Sequence, residues 1–151
     1  KLIPPVPLAL EEGLVAHNVT YTNNNYKVTY EKDKWYVFWR SYSQRYTHTL
    51  GKPIYVYSSI FAPTNLKKAI FHRWKWYNEN TETWEISDNI GYEITGGRDN
   101  GFRGYTYKNN VQKGKWRVEV LTEEELLLGV VKFEVVINSS QKPYRAVVRE
   151  F

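Results

Sequence analysis

The sequence predicts an all-β domain, an antiparallel β-sandwich of immunoglobulin-like type, with a closed β-barrel as the alternative. Three observations predict it. Apolar and polar residues alternate through most of the chain, the period of a strand with one buried face. Turn-forming residues break these runs at frequent intervals, and no amphipathic helix intervenes. Aromatic residues make up 17% of the chain, with 13 tyrosines and 6 tryptophans, the side chains that favour strands.

The 151 residues suit one domain, and a chain of this size buries about 68–70% of the surface its unfolded form exposes. No staple is needed to hold it. The absence of cysteine excludes disulfides, thiolate metal sites and cysteine nucleophiles together. The net charge of +5 and the pI of 9.3 suit an anionic partner in principle, but the lysines and arginines are scattered singly and form no polybasic tract. No apolar run is long enough to span a bilayer. The chain also contains no methionine, so a fragment of something longer, or a processed product, is expected.

Along the chain, residues 1–12 read as a proline-rich linker or arm and residues 13–151 as a single sandwich domain. Pro4, Pro5 and Pro7 remove backbone donors and hold the opening extended. Residues 8–15 read as one short helical turn before Gly13. Tyr26, Val28 and Tyr30 share a strand face, with Asn23, Asn24 and Asn25 as the preceding turn. Residues 35–42 form a dense aromatic strand, residues 54–61 another. In residues 68–77, Ile70, His72, Trp74 and Trp76 face one way and Arg73 and Lys75 the other. Weaker strands are expected at 83–87, 91–95 and 102–108, with a glycine-rich turn at 96–101. The strongest local signal is a final hairpin. Trp116, Val118 and Val120 on one strand and Val131, Phe133 and Val135 on the other point inward, which requires paired numbers to sum to an odd value across the ladder. A last edge strand is expected at 144–150.

From residue 58 to 135 a set of short motifs occurs in order: Ser59-Ile60-Phe61-Ala62-Pro63, Phe71-His72-Arg73-Trp74, Gly96-Gly97-Arg98 with Gly101-Phe102-Arg103-Gly104-Tyr105, Gly114-Lys115-Trp116-Arg117-Val118-Glu119-Val120, and Leu128-Gly129 with Phe133-Glu134-Val135. Together they resemble a bacterial family known as domain of unknown function 2914. Its members commonly carry this domain at the carboxyl end of multi-pass membrane proteins. The resemblance therefore implies a membrane-anchored, extracytoplasmic module, joined to the membrane through an upstream segment, and it supplies no activity and no catalytic residue.

The chemistry-bearing residues each have a structural explanation. His17, His48 and His72 show no metal-ligand spacing, and His72 between Ile70 and Trp74 reads as a hydrogen-bonded core histidine. Ser41, Ser43, Ser58, Ser59 and Ser87 lack the strained turn of a nucleophile. No metal, cofactor or catalytic residue is assigned. Glu85, Asp88, Glu93 and Asp99 would serve a carboxylate-dependent glycan hydrolase only if two of them met in one cleft. Arg98 and Arg103 follow no phosphate-binding pattern.

The expected function is a non-enzymatic interaction module, with a glycan- or cell-wall-binding sandwich as the alternative and the hydrolase as a second alternative. The partner is unknown, an envelope protein or a cell-wall glycan, and nucleic acid is not expected. If a ligand binds, the expected site combines His72, Trp74 and Trp76 with Arg98, Asp99, Arg103 and Tyr105, because flat rings beside charged groups suit a sugar. The competing explanation places both indoles in the core.

Overall fold

The computed structural model describes residues 8–31, 44–61, 68–94, 102–138 and 145–151. All regular structure among them is strand: β1 (Ala9–Ala16), β2 (Asn18–Thr22), β3 (Asn25–Glu31), β4 (Gln44–His48), β5 (Ile54–Phe61), β6 (Lys68–Asn78), β7 (Thr83–Ile94), β8 (Phe102–Lys108), β9 (Gly114–Thr122), β10 (Leu127–Ile137) and β11 (Ala146–Glu150). They form three open sheets, a large one in the order β4-β10-β9-β6-β7 and two of three strands, β1-β5-β8 and β11-β3-β2. The all-β expectation holds, and the sheets are open, not closed into a barrel. Every pair is antiparallel except β4 with β10, which run parallel.

The β1-β5-β8 sheet is the middle layer, because β5 is apolar on both faces. Ile54 and Val56 turn toward Trp74, Trp116, Val118 and Phe133 of the large sheet. Tyr57, on the alternate face, packs with Ala16, Val19 and Val28, and Tyr55 lies against that cluster. The sandwich thus carries a third, small sheet on its far side.

The final hairpin pairs as its alternation requires, with Val118 opposite Val131 and Trp116 opposite Phe133. The two rings stack with centroids 6.5 Å apart and planes at 4°. Asn23 and Asn24 both adopt positive φ, 51° and 63°, which is what a tight two-residue hairpin turn between β2 and β3 demands.

The short helical turn expected at residues 8–15 is a strand instead. β1 pairs along β5 and crosses β10 so closely that a Cβ on Gly13 would lie 2.5 Å from Val131 Cγ2. Pairing along β5 satisfies across strands the backbone groups that a helix would satisfy internally, and tertiary pairing overrides local propensity. The strand begins at Ala9, inside the segment expected to be the arm. The separate strands expected at 83–87 and 91–95 are one strand, β7, kinked where the register slips and Ser87 becomes the extra residue between Ile86 and Asp88. The aromatic strand at 35–42 and the turn at 96–101 lie outside the described residues.

Candidate functional site

Strand alternation puts His72 on the inner face of β6 beside Ile70 and Trp74, and all three are fully enclosed. Two hydroxyls from the middle sheet meet the ring. Its Nε2 lies 2.8 Å from Ser58 Oγ and its Nδ1 lies 2.7 Å from Thr106 Oγ1. Ser58 Oγ lies 2.6 Å from the Tyr92 hydroxyl, and the Trp74 indole N–H donates to Thr106 Oγ1 over 3.3 Å. One consistent order of donation gives each ring nitrogen a single role. It runs from Trp74 to Thr106, from Thr106 to Nδ1, from Nε2 to Ser58 and from Ser58 to Tyr92. Burial pushes the His72 imidazole down to about 3, so the ring is neutral, with one donor and one acceptor, as this chain of bonds requires. Burial likewise pushes the Tyr92 phenol up, against the pull of its bond to Ser58.

A tyrosine reaches this depth because β8 offers it no side chain. A Cβ on Gly104 would stand 2.2 Å from the Tyr92 ring, so the ring lies on bare backbone. The Ser58–His72 contact resembles half of a hydrolytic triad in composition only. Ser58 is sealed from solvent, and Nδ1 is met by a hydroxyl where a triad has a carboxylate.

The residues expected to form a ligand site fall on different layers. His72 and Trp74 lie between the large and middle sheets. Trp76 is half-buried at the rim, its indole N–H donating to Lys113 O over 3.2 Å. Arg103 and Tyr105 alternate with inward Gly104 and Thr106 on β8, so they face the small sheet. There the Arg103 guanidinium donates to Phe151 O at 2.5 Å and to Asn24 O at 3.0 Å, and it covers the Tyr26 ring at 5.1 Å. Arg98 and Asp99 lie outside the described residues. Of the four acids considered for hydrolysis, Glu85 accepts from Asn78 and Asp88 pairs with Lys108 at 2.5 Å. Asp99, and the side chain of Glu93, are not among the described parts.

A second polar knot joins the small sheet to the edge of the large one. Glu31 accepts from the Thr47 amide and, at 2.6 Å, from the Thr47 hydroxyl, while His17 Nε2 approaches it to 3.0 Å. The His17 ring stacks on Tyr46 with centroids 4.3 Å apart. Burial pulls the Glu31 carboxyl upward, but the bonds from His17 and Thr47 together outweigh it and leave it below the ordinary carboxylate value. Among the described residues no group of three or more His, Asp or Glu is placed to hold a metal ion.

What the surface offers lies elsewhere, at the β6–β7 hairpin. Trp84 is 39% and Ile86 61% exposed. Opposite Tyr77 and Lys75 in the ladder, they share the outer face of the large sheet. Trp84 leans on Tyr77, centroids 5.2 Å apart, and Arg117 covers its ring at 5.5 Å. Sequence reading passed over this pair because 83–87 looks like a weak strand. The available signal was two apolar residues on either side of one acid, Glu85, after a polar turn. Beyond the kink, an open cleft of about 510 Å³ separates β7 from β8, lined by Ile90, Gly91, Tyr105, Thr106 and Tyr107.

The course from β6 to β10 is also where known proteins meet this chain. Residues 67–135 match the model of a protein family of unknown function, DUF2914. The DUF2914 match takes in β6, β7, β8 and β9 whole, with nearly all of β10. It includes His72, Thr106 and Tyr92 but not Ser58, whose strand precedes it. No curated protein matches the chain. Among solved structures, an immunoglobulin-like protein from Pseudomonas aeruginosa is 10% identical, with a TM-score of 0.45 over 88% of this chain and 99% of that one. The alkylpurine DNA glycosylase AlkC of Pseudomonas fluorescens, bound to DNA containing an abasic site analog, is 16% identical, with a TM-score of 0.40 over 60% of this chain. A β-glucosidase from Listeria innocua in complex with gluconolactone is 13% identical, with a TM-score of 0.38 over 72% of this chain. The chain spans 27% of the glycosylase and 16% of the glucosidase. At such scores no activity, ligand or partner passes from them to this protein.

Proposed function

We propose that this chain is a non-enzymatic interaction module, presented on the extracytoplasmic side by a bacterial membrane protein. One observation carries the reading. The residue types suited to chemistry, Ser58, His72, Tyr92 and Thr106, are spent on one another inside the core, while large apolar side chains stand exposed at the free end of a sheet. Buried polar chains of this kind specify a fold, and exposed apolar edges favour contact. The membrane setting is supported by the resemblance described above, since no residue of this chain requires it. Among the described residues no helix is long and apolar enough to cross a membrane.

A photo-crosslinking residue placed at position 86 of the full-length protein, in the cells that make it, tests the module. A discrete adduct is expected, unchanged in the Ser58→Ala background. No adduct from position 86, nor from the exposed positions 127 and 148, overturns it. The membrane setting is tested by the gene upstream of Lys1, which must encode hydrophobic spans; a gene without them removes that part of the reading.

A further inference from the structure

We infer that the free edge of β7 over residues 83–87 receives an extended, basic peptide segment of a partner protein, which adds a sixth strand to the large sheet. The inference rests on the interaction-module reading and names the partner's chemistry. β7 is the last strand in the order β4-β10-β9-β6-β7, and among the described residues no strand pairs with its outer side. Such an edge is a row of backbone donors and acceptors that a guest strand can satisfy. β7 is also long, 12 residues against 5 for each edge strand of the small sheet. Charge and a bulge are common protections of an edge, and an edge that is only protected has no reason to expose large apolar side chains beside them. This one displays an indole and an isoleucine, Trp84 and Ile86, with acid between them.

Charge selects the occupant. From residue 76 to 97 the chain carries Glu79, Glu82, Glu85, Asp88 and Glu93 and not one lysine or arginine, in a protein whose net charge is +5. Asp88 is answered by Lys108, whereas Glu85 is bound by the neutral amide of Asn78, and Glu79 and Glu82 are exposed at the hairpin tip. A second copy docking antiparallel through β7 would set these carboxylates against their own kind, and an acidic polymer would be repelled. A strand that alternates lysine or arginine with apolar residues fits both sides. Its apolar side chains lie beside Trp84 and Ile86, and its cations lie beside Glu85 and the tip. The slot is short, since the Ser87 bulge shifts the register of β7 and Lys108 of β8 closes there on Asp88 and Ser87.

The test pans the full 151-residue chain against a library of short random peptides and titrates the enriched peptides into isotopically labelled protein. Enriched sequences should alternate basic with apolar residues and shift the amides of residues 83–87. Affinity should fall about tenfold or more in the Glu79→Lys, Glu82→Lys, Glu85→Lys variant, and also in Ile86→Ser, whose exposed position spares the fold. Tyr21→Lys, on the edge of the small sheet, should bind as the parent does. Enrichment without basic residues, shifts confined to other strands, or no enrichment each overturns the edge assignment. An adduct from another position in the crosslinking experiment would leave the module standing while the β7 edge falls.

Discussion

A protonated imidazole has no room at position 72. Both ring nitrogens are engaged by hydroxyls in a sealed core, and the folded value is driven to about 3 from 6.5. Because the folded value is depressed, the unfolded chain binds the proton first as pH falls. The contribution is complete above pH 6.5 and is lost progressively down to about 3, by up to about 1.4 kcal/mol per pH unit. Burial, then the charge of His17, depress His48 in the same direction. Glu31, held below its ordinary 4.5, adds its own loss only as pH falls through the carboxylate range. His72→Gln keeps a donor and an acceptor and removes the titration. It should be less stable than the parent at neutral pH, yet lose stability less steeply between pH 6.5 and 4 in urea unfolding; an unchanged slope would sink the assignment. The inner face of His72 was legible in the sequence, because Ile70 and Trp74 alternate with Arg73 and Lys75. Its partners were not, since Ser58 and Thr106 lie 14 and 34 residues away along the chain on strands of another sheet.

Elements formed by neighbours in sequence were the readable ones. The β9–β10 register follows from two inward faces that must meet, and the β2–β3 turn from its run of asparagines. β7 was split in two because its polar kink at Ser87 looks like a turn in isolation and becomes a bulge only against β6. β4 pairs parallel to β10, and no local pattern announces a partner that distant. The β6–β7 turn contains one costly residue. Glu82 sits at φ 56°, in the left-handed region where a non-glycine residue costs about 1–2 kcal/mol. Glu82→Gly relieves that strain and returns part of it as unfolded-state entropy. It should stabilise the protein by about 0.5–1 kcal/mol, read as a higher urea midpoint at an unchanged m-value.

Across the whole molecule the two interfaces between layers are built differently. The large and middle sheets meet through aliphatic and aromatic burial around the sealed His72 chain of hydrogen bonds. The small sheet is held by tyrosines, by Phe151 and by the Arg103 fork that reaches Asn24 and Phe151 carbonyls from β8. Arg103→Ala removes two charge-assisted bonds and should cost about 2 kcal/mol or more. Hydrogen exchange should then accelerate in β2, β3 and β11 and leave β9 and β10 protected; uniform acceleration would show that the layers do not separate. Alternation predicted a sandwich, but the third sheet was hidden, because β3 lies between β2, its sequence neighbour, and β11 near the other end of the chain, with Glu31 opposite Ala146. That arrangement sets a schedule for synthesis. A ribosome delivers β3 long before β11, so the side of β3 that β11 will cover stays open while β4 to β10 emerge and fold. Translation arrested before Ala146 leaves that edge available to neighbouring nascent chains, and release of β11 ends the exposure.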